Sequence, residues 1–140
     1  MWEVEEHIQT SCNGLYNRSF GNTLKTIILD NKEILKQNEN INAEELDNLE
    51  ELKEGTTFIY IDDKIIGPLF GYKNGNEMHH AVSCYHSIPK LKVPTLFINS
   101  KDDPVIGEKS IDYDIFKNNE YAVLATTKTG GHLGYHSSIF

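Results

Sequence analysis

Two short loops in this chain of 140 residues carry the residue types of acid–base chemistry. One reads Ser100-Lys101-Asp102-Asp103-Pro104 and the other Thr129-Gly130-Gly131-His132-Leu133-Gly134. A carboxylate that meets an imidazole accepts its Nδ1 proton and fixes the tautomer. It also stabilises the imidazolium formed when Nε2 takes a proton. Gly130 and Gly131 let the backbone turn sharply and bring His132 close. Each loop has an ordinary structural use as well, since Asp bonds its own backbone, Pro presets φ and Gly-Gly is common in turns. Their placement after consecutive strands is what joins them.

The segment 93–99, Val-Pro-Thr-Leu-Phe-Ile-Asn, is almost continuously apolar, as a strand buried on both faces of a parallel sheet must be. Pro94 stands at its first residues, where no ladder donor is lost. Residues 121–126, Tyr-Ala-Val-Leu-Ala-Thr, read as a second buried strand, and 106–117 as the helix between them. Strand, helix and strand make a right-handed βαβ unit. Ligands and catalytic groups gather beyond the carboxyl ends of such strands. Neighbouring strands lie about 4.8 Å apart, so an aspartate on one loop can meet the histidine on the next.

Upstream, the chain reads as helical. In 22–37, Leu24, Ile27, Ile28 and Leu35 share one face at a period of 3.6, with Asn22 as N-cap. Asn42 followed by Glu45 reads as a capping box, Leu46, Leu49 and Leu52 form a narrow stripe, and Gly55 sits where a left-handed residue ends the helix. Residues 57–61, Thr-Phe-Ile-Tyr-Ile, read as a short strand, 67–72 as a Gly/Pro-punctuated loop, and 77–87 as a further helix.

Lys and Arg number 13 against 21 Asp and Glu, a formal net charge of −8. With no basic block, this excludes nucleic acid and an anionic membrane surface as partners. No apolar run approaches the roughly 18 residues a membrane span requires, and the acidic start Met1-Trp2-Glu3-Val4-Glu5-Glu6 is no secretory leader. The 2 cysteines, Cys12 and Cys84, make neither a disulfide framework nor a zinc site, so an intracellular, cytoplasmic setting is the default. No cofactor is implied, because the glycines match neither a phosphate loop nor a dinucleotide fingerprint. No metal site is implied either. His132 and His136 are four apart but surrounded by glycines, and the adjacent His79 and His80 point apart on a helix without an accompanying carboxylate cluster. Cys84 reads as a small buried thiol, Asp62-Asp63 as the start of a turn, and Glu44, Glu45, Glu50 and Glu51 as a solvated helix face.

The stretch Val93-Pro94-Thr95-Leu96-Phe97-Ile98-Asn99-Ser100-Lys101-Asp102-Asp103-Pro104 resembles the acid-bearing strand and loop of α/β-hydrolases. The nearest group is the abhydrolase-domain esterases related to yeast medium-chain acyl ethyl ester synthase/esterases and to plant embryogenesis-associated proteins. Thr129-Gly130-Gly131-His132-Leu133-Gly134-Tyr135 resembles that group's histidine loop. Phe70-Gly71-Tyr72 and Ser83-Cys84-Tyr85-His86-Ser87-Ile88-Pro89 also resemble it, and His79-His80 stands where an aromatic pair is common. The resemblance is sharp from about residue 57 to residue 136. It implies Asp103, directly before Pro104, as the acid of a catalytic triad and His132, 29 residues later, as its base, with Asp102 as the fallback acid. It also implies hydrolysis of a carboxylic ester, such as an acylglycerol or another medium-chain acyl ester.

The third member of that triad is a serine in a Gly-x-Ser-x-Gly elbow. None of Ser11, Ser19, Ser83, Ser87 and Ser100 has that setting, and the oxyanion-hole loop has no counterpart. The expected fold is therefore the C-terminal part of an α/β-hydrolase: parallel strands with flanking helices, lid and connecting segments over about 8–80, and the acid strand, helix, strand and histidine loop over about 90–140. A polypeptide supplying the missing half is an implied partner, and an exposed apolar sheet edge with marginal solubility is expected. The alternative is a non-catalytic pseudoenzyme or interaction module that keeps both loops as relics.

Overall fold

The computed structural model describes residues 2–52 and 55–135, without the side chains of Trp2 and Glu3. The chain divides into two compact units. One is a helical insertion, Gly14–Val82. The other combines the residues up to Asn13 with those from Ser83 onward.

The insertion is built on α2 (Leu15–Asp30), after a first helix α1 (Trp2–Thr10) that belongs to the other unit. It continues through α3 (Lys32–Leu35), α4 (Ala43–Glu51), α5 (Phe58–Ile61), a wider helical turn Asp62–Ile66, α6 (Gly67–Leu69) and α7 (Gly75–Val82). Its core is Ile28, Leu46, Leu49, Ile61 and Ile65, with Leu24, Leu29, Leu35, Ile41, Tyr60 and Ile66 packed around them. Lys32 ties α3 to α4 through Asp47 at 2.7 Å and through Glu50, and Lys36 joins at 3.1 Å.

Several expectations are corrected here. Within 57–61, Phe58–Ile61 form a helix, not a strand. Thr57 caps the helix, its Oγ1 accepting from the Tyr60 amide at 3.2 Å. Ile61 and Ile65, four residues apart, bury one face completely, so tertiary packing overrides the β-propensity of the run. The helix expected over 22–37 starts earlier, at Leu15, and breaks at Asn31, so Asn22 lies in its interior and caps nothing. Ile27 is exposed, and Leu29 packs on the core in its place. Asn42 does cap α4, its Oδ1 accepting from the Glu44 amide at 3.0 Å. The Glu45 carboxylate does not complete the box. It faces Lys64 at 3.4 Å and the Tyr60 hydroxyl at 3.5 Å. Leu52 is already extended at the end of α4, so Gly55, with φ of +82°, lies beyond the helix and does not end it.

The other unit holds the only strands among the described residues, β1 (Thr95–Ser100) and β2 (Ala122–Thr127). They pair in parallel, with Thr95 opposite Ala122 and Ser100 opposite Thr127. The expected single helix over 106–117 is instead a short turn, Glu108–Ser110, and α8 (Tyr113–Lys117). Gly107, at a φ of +51°, interrupts it, and Asp112 starts α8 afresh by accepting from the Asp114 and Ile115 amides at 2.9 and 3.3 Å. The helix expected over 77–87 stops at Val82, because Ser83 is extended (ψ 134°) and caps the next 3₁₀ turn, Cys84–His86. Cys84 is exposed rather than buried.

The strands are not covered on both faces. Phe97 packs edge-on against Phe116 of α8, ring centroids 5.0 Å apart. On the opposite face Leu96, Ile98 and Val123 keep 60%, 53% and 58% of their surface exposed. The apolar run reported a demand for two layers, and these residues supply one.

Gly21, in the middle of α2, lets that helix lie against the Thr56–Phe58 backbone. A β-carbon there would stand 2.4 Å from the Thr56 carbonyl oxygen. A glycine-to-alanine change inside a helix ordinarily stabilises by about 1 kcal/mol. Here overpacking reverses the sign, and Gly21→Ala is expected to destabilise the insertion by about 1–3 kcal/mol, measured by urea unfolding. A stabilised variant would contradict the close approach.

Candidate active site

The acid loop begins where β1 ends and the histidine loop where β2 ends, so the parallel register sets them side by side. The Lys101 amide extends the ladder by donating to the Thr127 carbonyl at 2.9 Å. Asp103 follows, with only 4% of its side chain exposed. Its Oδ1 accepts from the Val105 and Ile106 amides at 2.7 and 3.0 Å, an Asx turn that Pro104 helps to preset. Its Oδ2 accepts from Nδ1 of His132 at 2.8 Å. With the proton on Nδ1, the basic lone pair of the ring is on Nε2, and the His132 side chain stays 39% exposed.

Burial works to raise the Asp103 pKa. The His132 hydrogen bond and the Ile106 and Val105 amides outweigh it, so the carboxyl is held below its ordinary range. An ionised carboxylate buried beside an imidazole orients that ring and stabilises its protonated form.

Asp102 does not touch the imidazole. Its Oδ1 accepts from the Gly131 amide at 3.0 Å. Sequence reasoning missed two further residues. His7 on α1 donates from Nε2 to the Asp103 main-chain carbonyl at 3.0 Å. Its ring lies where a β-carbon on Gly107 would stand, 2.6 Å from its Cγ. Ser100, only 1% exposed, donates its hydroxyl to the Gly131 carbonyl. No local pattern links His7 to a loop 96 residues away.

A second aspartate–histidine pair lies in the insertion, where none was expected. His79 Nε2 donates to Asp62 Oδ2 at 2.6 Å, with the Asp62 side chain 6% exposed. Asp63 accepts from the Gly75 amide at 3.0 Å. Burial dominates at Asp62 and raises its pKa despite His79. Among the described residues no group of three His, Cys, Asp or Glu is placed to hold a metal. His136 lies outside the described residues. No described helix is long and apolar enough to cross a membrane.

Known proteins match most of the chain. A monoacylglycerol lipase of Saccharomyces cerevisiae is 32% identical over 121 residues, which is 86% of this chain and 26% of that protein. The monoacylglycerol lipase ABHD2 of Danio rerio is 32% identical over 126 residues, 89% of this chain and 30% of that protein. Medium-chain fatty acid ethyl ester synthase/esterase 2 of Saccharomyces cerevisiae is 35% identical over 89 residues, 64% of this chain and 20% of that protein. No family model and no solved structure matches. The chain belongs to the α/β-hydrolase family, and its parallel strand pair with flanking helices is part of that fold. It spans less than a third of the length of these relatives.

The two buried aspartates predict opposite acid behaviour. A carboxyl with a lowered folded pKa contributes stability that is present above the unfolded value, about 3.9, and lost as pH falls through the folded value. Asp103→Asn should therefore flatten the acid limb of the stability profile. A raised folded pKa has the reverse sign, with stability lost as pH rises through it. Asp62→Asn should accordingly gain stability relative to the parent as pH rises past about 4. Denaturant titrations between pH 3 and 7 read both, and changes of the same sign in the two variants would contradict the assignment.

Proposed function

We propose that Asp103 and His132 are the acid and base of a serine-hydrolase triad that cleaves carboxylic esters. The observation that carries this reading is the 2.8 Å contact between a buried carboxylate and Nδ1 of a half-exposed imidazole. In the reaction, His132 Nε2 takes the proton of a serine hydroxyl as its oxygen attacks the ester carbonyl. The imidazolium, stabilised by Asp103, then returns that proton to the departing alkoxide. Water repeats the sequence on the acyl-enzyme.

The serine and the oxyanion donors come, in this reading, from polypeptide outside these 140 residues. The exposed apolar face of β1 and β2 is compatible with further layers of such a domain. The printed names of the relatives, monoacylglycerol lipase and medium-chain fatty acid ethyl ester synthase/esterase, support acylglycerols or medium-chain acyl esters as the substrate class. The helical insertion is read as the lid segment of the family. Two exposed free thiols, Cys12 and Cys84, support a reducing, intracellular compartment.

The test uses the polypeptide that carries these residues together with a Gly-x-Ser-x-Gly segment. It is expected to take a fluorophosphonate label and to hydrolyse 4-nitrophenyl octanoate. Asp103→Asn and His132→Ala should each lower kcat by about 10³-fold or more. Unchanged turnover in His132→Ala, or no label on the parent, would overturn the proposal.

A further inference from the structure

We propose that Ser100 and Asp102 are positioning residues that clamp Gly131 and thereby hold His132 on Asp103. This rests on the acid–base reading of that pair and adds the means by which its geometry is kept. Gly131 immediately precedes the histidine, and both of its backbone groups are tied to the tip of β1. Its N–H donates to Asp102 Oδ1 at 3.0 Å, and its carbonyl accepts from the Ser100 hydroxyl. Its φ is +61°, and a β-carbon there would meet nothing within 4 Å. Glycine is therefore required by the left-handed backbone and not by crowding.

Three side chains from four consecutive positions thus divide the work. Ser100 takes the carbonyl, Asp102 the amide and Asp103 the imidazole. The chemistry of each fits its post. Ser100 is 1% exposed, and a buried hydroxyl needs a partner. Asp102 is exposed, and its carboxylate is acceptor-only, so the bond to the Gly131 amide is charge-assisted. One neighbouring contact completes the loop on its far side, where the Tyr135 amide donates to the Gly130 carbonyl at 3.0 Å. A loop held from one end only would let the imidazole swing off a carboxylate that is itself fixed by two amides. Losing contact by an ångström abolishes the hydrogen bond.

The test is proton NMR, near neutral pH, of the polypeptide that carries these residues together with a Gly-x-Ser-x-Gly segment, reading the low-field Nδ1 proton of His132 and its exchange with water. The parent should show that resonance and Asp103→Asn should lose it. Asp102→Ala and Ser100→Ala should each speed its exchange about tenfold or more, while strand amides of β1 and β2 keep the parent's shifts. Asp102→Asn, which retains an acceptor oxygen for the Gly131 amide, should restore slow exchange. Because Asp102 is exposed, Asp102→Ala reports even where Ser100→Ala fails to fold. Parent-like exchange in Asp102→Ala would overturn the clamp while leaving the pair intact. A parent without the resonance, or one that survives Asp103→Asn, would overturn the pair and the clamp together.

Discussion

A carboxylate removed from water has to be given hydrogen bonds in place of its hydration, and the site in this chain is organised around that need at Asp103. Three donors reach its two oxygens: the Val105 and Ile106 amides on one, His132 on the other. The amides come from the loop itself, so Asp103 is anchored before the histidine arrives. The histidine has to be brought from another part of the chain, and the parallel register of β1 and β2 does that by placing Ser100 opposite Thr127. His7 and the Gly107 amide, at 3.0 and 3.2 Å, both donate to a further polar group of the same residue, the Asp103 carbonyl. The first helix and the loops that follow the two strands thus converge on one buried residue.

What was legible beforehand follows the range of the interactions involved. The strands and both loops were visible because their signals are local: a run of apolar residues, an Asp-Asp-Pro turn, a glycine pair. Their order along the chain brings an aspartate of the first loop near His132, and the resemblance to α/β-hydrolases is what singles out Asp103. Asn42 as a helix cap was visible for the same reason. Local signal failed where a distant partner decides. Phe58–Ile61 has strand composition, yet Ile61 and Ile65 find their burial against α2 and α4 as a helix. The contribution of His7 depends on a contact across 96 residues, and that of Asp62 on one across 17. Neither leaves a pattern in the intervening sequence.

The apolar strands are a different case. Their composition reads as burial on both faces, and the described residues cover only one. Side chains such as Leu96, Ile98 and Val123 encode the environment in which a sequence was selected, which extends beyond the atoms of any one part of a fold. A strand's composition therefore reports the layers of the whole domain. Here Leu96, Ile98 and Val123 are each more than half exposed, so the described residues leave the second of those layers unfilled.

The two aspartate–histidine pairs show what makes such a pair suited to proton transfer. Distance does not separate them, since the contact at Asp62 is the shorter, 2.6 Å against 2.8 Å. Both carboxylates are almost fully covered, at 6% and 4% exposure. Their pKa directions are nevertheless opposite. Asp103 adds two main-chain amides to its histidine and is held ionised more firmly than a free carboxyl. At Asp62 the histidine works alone against burial and against the neighbouring Asp63 charge, and loses. An orienting acid must remain charged while its partner takes up and releases a proton. The pair at the strand tips meets that condition with the help of its loop amides, whereas burial weighs more heavily at Asp62. A short contact in a helical insertion without them does not meet it.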